Sequence, residues 1–365
     1  MEIYKLIHQK LFSIFIIIIV FSCSKDEDSV GNIKPVETNF ISAVDISSYP
    51  EISETNPIFY DCNGNPVDFL DILKNNGVNT IRLRLWVNPS TNHSSLNEVK
   101  QFSETLKARG FKTWITVHFS DTWADPGQQI IPVAWQSLSI TELHTTVYIY
   151  TEQVANELKP DYIQIGNEIN SGLLHPFGNI STNINQFKTL TSTAIEAVRT
   201  HSNQTQIMLH VAGIENADWF FNQVSDLDYD IIGLSYYPIW HGKSLTNLRN
   251  TMTRLSTQHN KHIVIAETAY PFTLEYNDFT NNIVGLENQL ILPEFPASPQ
   301  GQEQFIYAIK NLVLDTEKGL GFCYWGTELI AWKGPESTNG SPWENQALFN
   351  FNNEALPVIK AFQID

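Results

Sequence analysis

Two glutamates close apolar stretches that read as β-strands. Glu168 stands in "DYIQIGNEIN" (residues 161–170), directly after Asn167, and Glu267 stands in "HIVIAETAYP" (residues 262–271). If both strand ends open on one cleft, a protonated carboxyl can hand its proton to a departing oxygen while the other, ionised, attacks the carbon or activates water. Hydrolysis of a glycosidic bond needs this pairing, with the environment driving the two pKa values apart. Either glutamate alone is equally well a solvated strand end or half of a structural salt bridge. The case rests on the pair, with the asparagine before the first.

Further polar and aromatic residues cluster at other strand ends. "RLRLW" brings Arg84 and Trp86, "VHFSDTWADP" brings His118, Asp121, Trp123 and Asp125, "GLSYYPIWHG" brings Tyr236, Tyr237, Trp240 and His241, and "FCYWG" brings Trp325. Indole faces can stack on sugar rings while polar side chains hold hydroxyls. Each also has an ordinary reading, a tryptophan as core or rim packing and a histidine as a satisfied polar group. Of the alternating pair Arg82 and Arg84 one is expected to point outward, and Arg84 is taken as the binding residue.

Strand-like runs occur at 40–46, 80–86, 113–119, 162–166, 206–211, 231–236, 262–266 and 321–325. Helical spacing of apolar residues falls at 66–75, 96–109, 141–158, 184–200, 216–224, 245–259, 302–316 and 354–362. Strict alternation of this kind predicts a single α/β domain, a (β/α)8 TIM barrel over residues 40–365, with Glu168 and Glu267 after the fourth and seventh strands, across the barrel from each other. The Pro-, Gly- and Asn-rich stretches 121–139, 268–300 and 327–347 become long βα loops, on the face where barrel sites are built.

A formal net charge of −17 over 365 residues excludes the basic footprint of a nucleic-acid binder. Lys5 and Lys10 precede the apolar run "LFSIFIIIIVF", which is too short to span a bilayer and reads as a signal-peptide core over residues 1–22. "VFSC" then resembles a loose bacterial lipobox that would place lipid on Cys23, with a plain signal peptide as the alternative. The polar residues 24–39 read as a flexible tether, and "SKDEDS" resembles the surface-export signals of Bacteroidetes lipoproteins. The expected location is the outer membrane, exposed at the cell surface and held only through lipid, as a monomer. Cys62 and Cys323 are either a disulfide or, more commonly for isolated cysteines, two unpaired thiols. No zinc spacing, phosphate loop or nucleophile elbow is present, so no cofactor is required.

In order along the chain, "RLRLWVNP", "HFSDTWADPGQQ", "QIGNEINSGLLHP", "IGLSYYPIWHG", "AETAYP" and "WENQALFNF" resemble the endo-β-1,4-galactanases of glycoside hydrolase family 53, from about residue 40 to the end. The resemblance implies a retaining, endo-acting hydrolase of β-1,4-galactan or type I arabinogalactan. It makes Glu168 the acid/base and Glu267 the nucleophile. Asn167 then binds the hydroxyl next to the reacting carbon, Tyr236 holds the nucleophile and Trp325 floors the cleaved-sugar subsite. His175 in "LLHP" and the segment "YWGTELIAW" depart from the family pattern in the loops after strands four and eight. Some bacterial members hold calcium between the loops after strands seven and eight. Here "LEYNDFTNN" offers Glu275, Asp278, Asn281 and Asn282, oxygen donors that suit a structural Ca²⁺, although the spacing is no standard calcium motif and also fits a polar turn. Two other readings stay open: a surface glycan-binding lipoprotein on a barrel scaffold, and a barrel glycosidase for another β-linked polysaccharide.

Overall fold

A computed structural model describes residues 40–364. The expected leader, Cys23 and the tether lie outside the described residues. Eight strands form the barrel: β1 (Ile41–Asp45), β2 (Thr80–Leu85), β3 (Lys112–Val117), β4 (Tyr162–Ile165), β5 (Gln206–Ala212), β6 (Ile231–Ser235), β7 (His262–Thr268) and β8 (Gly319–Trp325). Each pairs in parallel with its neighbours in sequence, and β8 closes onto β1. The fold is therefore the expected (β/α)8 barrel. Burial on both faces explains why the strands read as nearly continuous apolar runs.

Around the barrel lie α1 (Phe69–Asn75), α2 (Leu96–Ala108), α3 (Ile140–Leu158), α4 (Ile180–His201), α5 (Ala217–Gln223), α6 (Leu245–His259) and α7 (Pro299–Leu314). Their starts follow local chemistry. Ser139 and Glu142 form a reciprocal capping box on α3, and Ser298 caps α7 ahead of Pro299. The helix expected from Pro66 begins only at Phe69, because Val67 N–H donates to Phe59 O and the Asp68 carboxylate caps Leu70 and Asp71. At the C-terminus Ala355 and Leu356 donate to Tyr60 O and Leu348 O, so only a 3-10 turn, Pro357–Phe362, follows.

The barrel interior is layered. Ile41, Ala43, Trp114, Tyr162, Met208, Ile231, Val264 and Leu320 fill its lower part. Above them, toward the C-terminal strand ends, the inward positions become Asp45, Arg82, Gln164, His210, Ser235 and Glu267, all buried. Glu267 joins this layer through a bulge. Val264 and Ala266 both belong to the interior cluster, so strict alternation would send Glu267 outward. Instead Leu234 pairs with Ile265 and Ser235 with Glu267, skipping one residue of β7 and turning the carboxylate inward.

Candidate active site

The β4 strand ends in a tight turn. Gly166 has φ +77°, and a Cβ there would lie 2.4 Å from Ile169. Glu168 itself is left-handed at φ +46°. Such backbone persists only where neighbours hold it. Gln164 Nε2 donates to Gly166 O at 3.0 Å, and Glu168 N–H donates to His210 Nδ1 at 3.3 Å.

The two glutamates meet here. One carboxylate oxygen of each, together with a ring nitrogen of His210, lies within 4.8 Å of the others. Glu267 Oε1 accepts from Arg82 Nη2 at 2.7 Å, and Oε2 accepts from the Tyr237 hydroxyl at 3.1 Å. Arg82 also donates to Asp45 at 2.8 Å and to Asn167 Oδ1 at 2.9 Å. Glu168 Oε1 accepts from Ser235 Oγ at 2.5 Å. Removal from water, reinforced by the charge of Glu267, pushes the Glu168 carboxyl up to about 8. Burial raises Glu267 as well, but Arg82 and the Tyr237 hydroxyl oppose it. With these two groups holding Glu267 as an anion, the proton of the pair belongs on Glu168. His118 and His210 are held well below their ordinary value by burial and nearby arginines, so both are neutral.

Above the pair runs a row of indoles. Ring centroids are 5.6 Å apart for Trp86 and Trp123, 6.1 Å for Trp123 and Trp325, 4.5 Å for Trp325 and Trp343, and 6.0 Å for Trp343 and Trp240. Trp123, Trp325, Trp332 and Trp343 line a cleft of about 440 Å³. A larger concavity, about 770 Å³, opens on the opposite face between Lys112, Asp161, Arg199 and His262. It lies far from the glutamates, so size alone does not locate the chemistry.

The expectations for the paired arginines and for Tyr236 need correction, and other expected residues gain defined partners. Arg82 and Arg84 are two residues apart and therefore share a face. Both are buried, and it is Arg82 that reaches Glu267. Arg84 lies 4.4 Å and 4.1 Å from the ring centroids of Trp86 and Trp123 and donates to Ser94 Oγ, bracing the aromatic wall from beneath. Tyr236 does not hold Glu267. It directly follows β6 and its hydroxyl donates to Gly242 O, and Tyr237, in phase with Ser235, takes the place expected for it. Asp121 staples loops, its two oxygens accepting from Asn88 N–H and Val133 N–H. His118 accepts from Ala124 N–H and packs edge-on to Trp86 and Trp123. Cys62 and Cys323 are unpaired, the commoner of the two expected states. Sequence reasoning named Tyr237 and Arg82 only beside the residues it preferred, and it missed Asp45, Gln164, His210, Ser235 and Trp343. Their available signal was a polar side chain in phase with the interior of an apolar strand, as in "IMLHVA".

Between the loops after β7 and β8, Asp278 is buried. Its Oδ1 accepts from Thr280 N–H, while Oδ2 has no hydrogen-bond partner. Glu344 Oε1 accepts from Asn277 and Asp278 N–H, and its Oε2 and Asn282 Oδ1 are likewise buried without partners. A Cβ on Gly340 would lie 2.2 Å from Asp278 Oδ2. Orphaned carboxylate oxygens in a glycine-lined recess fit a hard cation such as Ca²⁺. Glu275 and Asn281 are exposed, so Asp278, Glu344 and Asn282 make the better donor set.

Residues 41–362 of this chain match the family model of glycosyl hydrolase family 53. An arabinogalactan endo-beta-1,4-galactanase of Cellvibrio japonicus is 35% identical, the match covering 90% of this chain and 92% of the relative. The Ignisphaera aggregans GH53 catalytic domain superposes with a TM-score of 0.83 at 39% identity, covering 89% of this chain and 96% of that one. A structure of fungal beta-1,4-galactanases gives a TM-score of 0.77 at 29% identity, covering 88% and 98%. With barrel, paired glutamates and near full-length similarity in agreement, the chain belongs to glycosyl hydrolase family 53.

Proposed function

We propose that this chain is an endo-acting, retaining hydrolase of β-1,4-galactosidic bonds in galactan or type I arabinogalactan. The observation that carries the mechanism is the approach of Glu168 and Glu267 oxygens to within 4.8 Å, the short separation of double displacement rather than the wider gap that leaves room for a water. Glu267, held anionic by Arg82 and Tyr237, attacks the anomeric carbon. The bond to the leaving oxygen breaks as Glu168 delivers its proton to it. Glu168, now ionised, takes a proton from water, whose oxygen displaces Glu267 and restores both groups. Asn167 keeps one amide hydrogen free beside the pair after donating to Ala124 O, and it serves a sugar hydroxyl. Support for galactan as substrate comes from the names of the relatives over most of the chain. Incubation with a panel of β-linked polysaccharides, with product sizing and anomeric NMR, tests this. Short galacto-oligosaccharides released with retained configuration are expected. Inverted products, or cleavage of another polysaccharide in place of galactan, would reject the reading.

We also propose that Cys23 carries lipid and anchors the enzyme at the cell surface, on the motif "VFSC" and the polar stretch after it. Cys23→Ala should move the protein from the membrane fraction to the soluble one with its specific activity intact. A variant that stays with the membrane contradicts the anchor. Calcium at Asp278, Glu344 and Asn282 is proposed as structural, its role being to tie the loop after β7 to the loop after β8, which carries Trp332 and Trp343 of the cleft wall.

A further inference from the structure

The hydrogen bonds around Glu168 have a direction that can be derived from one end. Trp114 Nε1–H can only donate, and it reaches Gln164 Oε1 at 3.2 Å. Thr116 Oγ contacts the same oxygen at 3.3 Å. The Gln164 amide is thereby oriented, and the two hydrogens on its Nε2 face three acceptors, Gly166 O at 3.0 Å, Asn167 Oδ1 at 3.1 Å and His210 Nδ1 at 2.9 Å. The same Nδ1 accepts from Glu168 N–H. A neutral imidazole that accepts at Nδ1 carries its hydrogen on Nε2, which faces Ser235 Oγ at 2.9 Å. Ser235 Oγ accepts that hydrogen and so turns its own toward Glu168 Oε1. An oxygen that receives a hydrogen bond at this distance is not the one holding the acid proton.

We propose that His210 and Ser235 are positioning residues which, oriented by Trp114 and Gln164, reserve Glu168 Oε1 as acceptor and fix the catalytic proton on Oε2. This rests on the reading of Glu168 as the acid. The same bonds assign His210, which shares its neighbourhood with both glutamates, to orientation rather than to metal ligation, because Nδ1 accepts from Glu168 N–H with the Gln164 amide group beside it and Nε2 carries hydrogen. The chain is not a proton wire. It ends in an amide and an indole, neither of which gives up a proton, so Glu168 is recharged from the cleft. Its effect is selective. Ser235 stabilises the ionised carboxylate and prevents the acid from presenting the wrong oxygen to the leaving group.

Two measurements test this. Heteronuclear NMR of nitrogen-labelled protein, with the His210 signals assigned by their loss in His210→Asn, reads the tautomer without substrate. Hydrogen on Nε2 is expected, and hydrogen on Nδ1 overturns the proposal even if galactan is cleaved. Conversely, an Nε2–H tautomer in a protein that cleaves no polysaccharide overturns the functional reading and leaves the network standing. Kinetics of Ser235→Ala and Ser235→Thr supply the second readout. The groups facing Glu168 are Glu267, Arg82, Asp125, His210 and Tyr237, and all are kept in both variants. Losing a hydrogen bond to the charged form raises the pKa. In Ser235→Ala the alkaline limb of kcat/KM should therefore move up by about one pH unit, while polysaccharide turnover falls at least about tenfold. An aryl galactoside with a good leaving group should lose far less, and Ser235→Thr should recover much of the polysaccharide activity. Equal losses on both substrates with an unmoved alkaline limb would mean that Ser235 only packs.

Discussion

Glu168 and Glu267 are the same side chain made different by what faces them, a serine hydroxyl for one and an arginine and a tyrosine for the other. The difference predicts distinct failures on substitution. Glu168→Ala should lower polysaccharide cleavage by about a thousandfold, the scale of general acid–base help. It should still form the covalent intermediate from an aryl galactoside, and azide should speed its breakdown. Glu267→Ala should fail on both substrates. If azide rescues Glu267→Ala and not Glu168→Ala, the roles are exchanged. The carboxyl of Glu168 is pushed up to about 8, so if it is the acid of the proposed mechanism, the alkaline limb of kcat/KM in the free enzyme should fall near that value. Its linkage to folding has the matching sign. The folded state binds this proton more tightly than the unfolded chain, so the contribution is full below pH 4.5 and is lost as pH rises toward 8. The pair itself was legible in the sequence as carboxylates at two strand ends. Their partners were not, since choosing Tyr237 over Tyr236 requires knowing the phase of β6.

Elements explain both what the sequence disclosed and what it hid. Parallel strands buried on two faces leave runs such as "TWITV" and "IVIA" that any reading finds. A bulge leaves no such mark. Counted by alternation from Val264, Glu267 would face outward, and only the skipped residue between β6 and β7 brings it to Arg82. The loops after β7 and β8 were recognisable as loops, but the buried oxygens of Asp278 and Glu344 come from segments more than sixty residues apart and meet only in the fold. Calcium bound there would favour the folded state by mass action. At neutral pH, chelator should therefore lower the Tm by several degrees and added Ca²⁺ should restore it, while Asp278→Ala should make the Tm insensitive to both. A wild-type melting curve unchanged by chelator would leave these oxygens to internal polar packing.

At the scale of the whole molecule, the barrel separates its two ends. Phe40 enters at the N-terminal end of β1, while the glutamates and the indole row occupy the C-terminal face. That row runs from Trp86 through Trp123, Trp325 and Trp343 to Trp240, and Trp123 and Trp240 are 41% and 52% exposed. On the proposed endo-acting reading, an exposed row would let a polymer lie along the cleft without threading an end. Galactan should therefore lose viscosity early in the reaction, with a ladder of short oligosaccharides appearing before galactose. Trp343 is the sharper probe, because it touches Trp325, Trp240 and Tyr237 and hydrolysis needs no chemistry from it. If it carries sugar by stacking, Trp343→Ala should cost about 1–3 kcal/mol on the polymer, on the scale of a lost aromatic contact, and appear mainly in KM. An aryl monosaccharide should be turned over almost as before, and the product ladder should change its spacing. Steady release of galactose from the first minutes would contradict an open row. A Trp343→Ala variant equally impaired on the monosaccharide would show that the indole supports Tyr237, and through it Glu267, in place of the substrate.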